Sequence, residues 1–99
     1  QTSGQCVIEK GVDYPGGTCD NIKCQGSDIR FQREVSGPEE CCELCRKQKK
    51  CEFWTYATNA RRGQERICWL KTAEARSSRV MNEMTANLIS GYVVKGESE

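Results

Sequence analysis

Apolar and polar positions along the 99-residue chain alternate in short stretches, so they predict several short strands and one helix. Cys6-Val7-Ile8 reads as a short strand, and Pro15-Gly16-Gly17 marks the turn after it. Residues 28–35, DIRFQREV, are apolar at Ile29, Phe31 and Val35 and break at Arg33, which predicts a half-buried strand. Residues 51–57, CEFWTYA, are rich in aromatic residues and read as a strand. Residues 66–71, RICWLK, are its hairpin partner across the polar loop 58–65. Residues 72–90 are polar with scattered apolar positions and predict an irregular crossover with a short helix. Gly91-Tyr92-Val93-Val94 closes the pattern as a last strand. Residues 1–5 read as a linker and 96–99 as a flexible tail, which leaves 6–95 as one folded domain.

The helix has the clearest signals. Ser36-Gly37-Pro38-Glu39 forms a capping box, with Ser36 accepting from the Glu39 amide and the Glu39 side chain reaching back. Pro38 sits in the first turn, where its missing N–H costs nothing. Glu39 and Glu40 suit the positive end of the helix dipole, and Arg46, Lys47, Lys49 and Lys50 suit the negative end. The expected helix covers about residues 37–50, with an inward stripe of Cys41, Leu44, Cys45 and Gln48. Cys42 points about 100° away from Cys41, so it needs a different partner.

Composition narrows the class. Eight cysteines in 99 residues are near the density of a disulfide scaffold, and disulfides persist in oxidising compartments, so the domain reads as secreted. Cys42-x-x-Cys45 has half of a zinc-knuckle spacing, but no second pair and no histidine accompany it, so the cysteines read as bridges and no metal is expected. A formal charge of +1 argues against a dedicated nucleic-acid binder. No run approaches the roughly 20 apolar residues of a membrane-spanning helix.

Catalytic chemistry is thin. Nucleophilic catalysis through Ser or Cys needs a positioned base, most often His. No phosphate-binding loop is present, no calcium loop is present, and Asp13 and Asp28 read as turn residues bonding their own backbone. The expectation is a non-enzyme that needs no cofactor. Candidate binding residues remain. Lys47 and Lys50 in RKQKK would meet sulfated glycans or acidic partners, although a solvated helix end is the plainer reading. Arg61, Arg62 and Arg66 flank the hairpin loop, where binding commonly resides. Trp54 and Tyr56, with Trp69 on the next strand, would stack on a sugar or anchor a protein if exposed; core is the plainer reading. Phe53 and Leu70 are expected in the core.

The run PEECCELCRKQKKCEFWTY…ICWLKT resembles the signature of apple (PAN) domains: a helix with Cys41-x-x-x-Cys45, then Cys51-x-Phe53-x-x-Tyr56, then Cys68-x-Leu70-Lys71. GVDYPG, DI and SGY extend the likeness over about residues 6–94. The wording GVDYPG is most similar to apple domains of apicomplexan microneme adhesins, cousins of those in plasma prekallikrein and coagulation factor XI. The resemblance implies an α+β fold, a small disulfide-rich antiparallel sheet cradling one helix. It implies bridges Cys41–Cys68 and Cys45–Cys51, and the helix spacing is compatible with both. Three features depart from the pattern: the inserted TCDNIKCQG, the extra Cys42, and the lack of a cysteine after Cys68. Cys6, Cys19, Cys24 and Cys42 are left to form two bridges. The favoured arrangement joins Cys6 to one loop cysteine and Cys42 to the other; the alternative is Cys19–Cys24 with Cys6–Cys42.

The implied function is extracellular adhesion by protein or carbohydrate recognition. Its partner would be a host-cell surface protein or glycan, or another secreted protein, within a tandem apple array on a microneme protein used in host-cell invasion. A docking module of a secreted serine-protease-type protein and a structural spacer are the alternatives.

Overall fold

The computed structural model describes residues 5–19, 24–57 and 66–94. In chain order the elements are β1 (Gln5–Lys10), β2 (Gly17–Cys19), β3 (Cys24–Gly26), β4 (Asp28–Gln32), α1 (Pro38–Lys47), β5 (Phe53–Ala57), β6 (Ile67–Lys71) and β7 (Leu88–Val94). Five strands form one antiparallel sheet in the order β1-β7-β5-β6-β4. This is the α+β architecture expected from the sequence, with β5 and β6 paired as the predicted hairpin.

The element boundaries carry the corrections. β1 begins at Gln5, inside the expected linker, and runs to Lys10 because β7 pairs with it along its whole length. β7 itself starts at Leu88, three residues earlier than the apolar run suggests. The two ends of the inserted TCDNIKCQG pair as a two-stranded ribbon of β2 and β3. The crossover holds two short 3-10 turns, Ala73–Ser78 and Glu83–Thr85, and Val80 forms a lone bridge with Asp13.

Helix α1 ends at Lys47, three residues before the expected stop. Gln48 leaves in an extended conformation, Lys50 takes a left-handed φ of 71°, and the Cys51 N–H donates to the Gln48 carbonyl. That tight reversal returns Cys51 to Cys45. The capping box is also displaced. Gly37 is the N-cap and has no side-chain cap, while the Ser36 N–H and hydroxyl both donate to Glu40 Oε1 at 2.8 and 2.6 Å. Glu40, not Glu39, reaches back, and these bonds hold its carboxyl below the usual carboxylate range. Pro38 occupies the first turn as expected.

The bridges Cys41–Cys68 and Cys45–Cys51 form as the resemblance implied. Cys6 bonds Cys42, so the favoured link between Cys6 and a loop cysteine is wrong and the alternative describes Cys6. The reason is helix geometry: α1 crosses the sheet and touches β5, β6, β7 and β1. Cys41 and Cys45 face the centre, while Cys42, about 100° around the helix, faces the β1 edge. Cys24 is also disulfide-bonded, and Cys19 stands opposite it in the ribbon register.

The sheet has two unlike faces. The helix side buries Trp54, Tyr56, Cys68, Leu70 and Val93 against α1. Gly91 is obligatory there, because a Cβ would stand 1.9 Å from the Val7 carbonyl oxygen and 2.6 Å from the Trp54 ring. The other face carries Phe53, Thr55, Trp69, Lys71 and Ser90, since neighbouring residues of a strand point to opposite sides. A smaller cluster of Val12, Tyr14, Phe53 and Ala75 covers one end of it.

Candidate functional site

The helix-free face holds a cleft of about 280 Å³. Its floor comes from the sheet: Thr55 of β5, with Trp69 and Lys71 of β6. Asp28 of β4 closes one side. Asp13, Pro15 and Gly17 of the GVDYPGG segment form the opposite rim, with Leu88 at the far end. Strand register explains the grouping, because Asp28 stands opposite Lys71 and Thr55 opposite Trp69.

At the bottom, Lys71 Nζ donates to Asp28 Oδ1 at 2.5 Å, and both side chains are only 4–5% exposed. The turn role expected for Asp28 is therefore incorrect. Asp28 opens a strand, and its carboxylate meets an ammonium 43 residues away. A buried ion pair is weak evidence of stabilisation, because two charges must leave water to form it. The pair lies at the base of the cleft, so its two charges form part of the cleft floor. Asp13 keeps the local bond expected of it, accepting from the Tyr14 N–H at 2.7 Å, and also accepts from the Thr55 hydroxyl at 3.2 Å. Thr55 and Ser90 hydroxyls lie 2.8 Å apart, and Ser90 donates to the Val12 carbonyl. A chain of hydroxyls thus fixes the rim to the floor.

The rim is anchored from behind. The Tyr14 ring lies 4.8 Å from Phe53, and its hydroxyl donates to Glu9 Oε1 at 2.6 Å. Burial first, then the hydrogen bond and charge of Glu9, push the Tyr14 hydroxyl up to about 12. Arg79 binds the other Glu9 oxygen at 3.2 Å, and that carboxylate raises its pKa. Tyr14 thus packs behind the rim, 2% exposed.

The sequence-selected binding residues do not converge on this cleft. Trp54 and Tyr56 are 0% and 4% exposed on the helix side, and the Tyr56 hydroxyl donates to the Val35 carbonyl. Their surfaces are closed to a ligand, which corrects their candidacy. Lys47 and Lys50 are exposed at the end of α1. Lys50 lines a larger groove of about 600 Å³ with Glu52 and Glu74. That groove is open and has no buried polar pair at its base, so it is the weaker site. Arg66 is exposed at the hairpin end, and Arg61 and Arg62 lie outside the described residues. Trp69 is the aromatic that reaches the cleft, half-buried on the helix-free side. The missed residues, Asp28, Thr55 and Lys71, had one sequence signal: a lysine closing the apolar strand ICWLK, inside the very signature quoted above.

The family model of the PAN domain matches residues 12–71. The chain belongs to the PAN domain family. No curated protein and no solved structure matches it. The matched span begins in the GVDYPG rim and ends at Lys71, so it takes in nearly the whole cleft. PAN domains are generally non-catalytic modules that bind protein or carbohydrate. The bridged cysteines suit a PAN domain that works in an extracellular, oxidising setting. No helix among the described residues is long and apolar enough to cross a membrane.

Proposed function

We propose that this PAN domain is an extracellular recognition module that holds one saccharide ring in the Lys71–Asp28 cleft. The observation that carries this reading is the buried ion pair at the base of a cleft walled by one half-exposed tryptophan. A sugar ring presents an apolar face and a fringe of hydroxyls. Trp69 supplies a flat apolar wall. Half-buried Asp13 on the rim supplies an acceptor to the ring hydroxyls, and the buried Lys71–Asp28 pair and Thr55 form the polar floor behind it. The volume is just below the range of about 300–1,000 Å³ common to drug-sized ligand pockets, which suits a single ring.

The microneme-type reading extends this proposal. The GVDYPG segment that carries that likeness forms the rim of the cleft. A weak one-ring site gains from repetition, so tandem copies on a secreted adhesin would raise host-cell attachment by avidity. Residues 1–4 would then lead into the domain, which opens at Gln5 of β1, and 96–99 would lead out. A trypsin-like domain elsewhere in the parent protein would favour the protease-docking reading, and further apple repeats the adhesin.

The test is a titration of the isolated oxidised domain with monosaccharides, followed by NMR. Saturable shifts of the Trp69 indole and Thr55 amide are expected, lost in Trp69→Ala. Shifts confined to Lys47, Lys49 and Lys50, or no shifts at millimolar sugar, would refute the cleft as the site.

A further inference from the structure

The two edges of the sheet are not equally protected. β4 pairs with β6 through a register shift between Asp28 and Arg30, and the β2–β3 ribbon packs beside it. Bulges and covering segments are the usual means of blunting a sheet edge. β1 stands at the other end of the strand order. It pairs with β7 over six consecutive residues with no shift, and among the described residues no strand lies on its outer side.

Hydrogen-bond parity shows which groups that edge presents. The Gly11 N–H donates to the Leu88 carbonyl at 2.8 Å, one step beyond the end of the β1–β7 ladder. Hydrogen-bonded pairs alternate along an antiparallel ladder. Gln5, Val7 and Glu9 therefore turn their backbone groups toward β7, and Cys6, Ile8 and Lys10 turn theirs outward. Gly11 takes a left-handed φ of 75° and ends the edge there. The start of the strip is held by the bridge from Cys6 to Cys42 of α1. Cys6, Ile8 and Lys10 are all exposed, so the helix does not overhang the edge. Ile8, at the centre, is a large apolar side chain left 38% exposed.

We infer that β1 is a dimerisation edge, which pairs antiparallel with β1 of a second copy about a two-fold axis at Ile8. The strand is complementary to itself in this register. Ile8 stands opposite Ile8, and Cys6 opposite Lys10 of the second copy, so every outward residue exchanges both its hydrogen bonds. The exposed isoleucines meet as an apolar cross-strand pair. No charge faces a like charge: Lys10 meets Cys6, and Glu9, whose carboxylate is held by Tyr14 and Arg79, meets Val7. Moving the axis to Glu9 would set two carboxylates opposite each other. Moving it to Val7 would leave Lys10 beyond the end of the partner strand. Opposite residues share a face, so the axis is perpendicular to a sheet continuous through both copies. Both helices then lie on one side and both clefts open on the other, where they would engage one surface together. That last consequence rests on the cleft reading; the dimer does not.

One strand pair is a small interface, and interfaces below about 1,200 Å² are weak and transient, so the dimer belongs to high protein concentration. Sedimentation equilibrium of the oxidised domain, from about 10 µM to about 1 mM, should show a reversible rise from the monomer mass toward twice that value. Hydrogen exchange at the Cys6, Ile8 and Lys10 amides should slow over the same range, while the Val7 and Glu9 amides, already bonded to β7, should not change. Ile8→Lys and Ile8→Glu each put like charges across the axis in place of an apolar pair, and each should weaken association about tenfold. Mixed one to one, they put opposite charges there and should associate within about threefold of the wild type. A monomer at every concentration would overturn the proposal. So would association that neither variant weakens, or that the mixture fails to restore. Sugar titration is read separately, so loss of the dimer leaves the cleft standing and loss of the cleft leaves the dimer.

Discussion

Replacing Lys71 by methionine separates the stability role of the Asp28–Lys71 pair from its binding role. Met keeps most of the lysine's apolar length and removes only the charge. In the folded domain it takes the ammonium away from a carboxylate that is 4% exposed. Breaking a buried ion pair by removing one partner costs about 3–5 kcal/mol, and a pair beside an open cleft belongs at the lower end, about 3 kcal/mol. Against a total of about 5–15 kcal/mol, such a variant stays folded but melts early. The double variant Asp28→Asn/Lys71→Met removes both charges, so most of the loss should return, with a coupling of at least about 1.5 kcal/mol. Urea unfolding of the wild type, both single variants and the double variant, with disulfides intact, measures this directly. Sugar titration of the same four proteins measures the other half. The double variant should regain stability without regaining binding. A Lys71→Met cost below about 1 kcal/mol, as for exposed pairs, would show that the pair is solvated and defeat the argument built on its burial. Recovery of binding in the double variant would show that the charges do not touch the ligand.

Two further outcomes follow from the scaffold. The Cys6–Cys42 bridge spans 36 residues and Cys45–Cys51 spans 6, so chain entropy assigns them about 4 and about 2 kcal/mol. Replacing each pair by alanine should reproduce that order in urea unfolding; the reverse order would mean that local packing outweighs loop closure. Tyr14, raised from 10.0 to about 12, keeps its proton in the fold after the unfolded chain has lost it. Stability should therefore fall as pH rises between about 10 and about 12. Absorbance titration should show a late tyrosinate step that disappears in Tyr14→Phe; an unchanged titration in that variant would remove Tyr14 as its source.

The strands and the helix were legible because their apolar periods are short and clean. FWTYA and ICWLK each bring aromatic or branched residues between cysteines, and the Ser36–Glu40 stretch marks the helix start to within one residue. Two kinds of information were hidden. One was handedness around α1: adjacent Cys41 and Cys42 have the same local sequence context, and only the path of the helix across the sheet sends Cys42 to Cys6. The other was which face the helix covers. Alternation in β5 correctly separates Phe53 and Thr55 from Trp54 and Tyr56, yet nothing local says that α1 lies on the tryptophan side. Trp54 and Tyr56 are core, the plainer of their two readings, and Thr55 on the opposite face lies on the cleft floor.

The same asymmetry gives the domain its division of labour. The described bridges to α1 all lie on or around the helix side, where Cys41, Cys42, Cys45, Cys51 and Cys68 are 0% exposed. Cross-links there stabilise the sheet without occupying its other face. That face is then free to carry groups that a core would reject: a lysine and an aspartate at the foot of a cleft and a threonine on its floor. A domain of this size has little core to spare, so moving stability into covalent bonds on one face is what permits polar chemistry on the other. Substitutions on the helix side should accordingly change unfolding before binding, and one at Trp69 should change binding before unfolding.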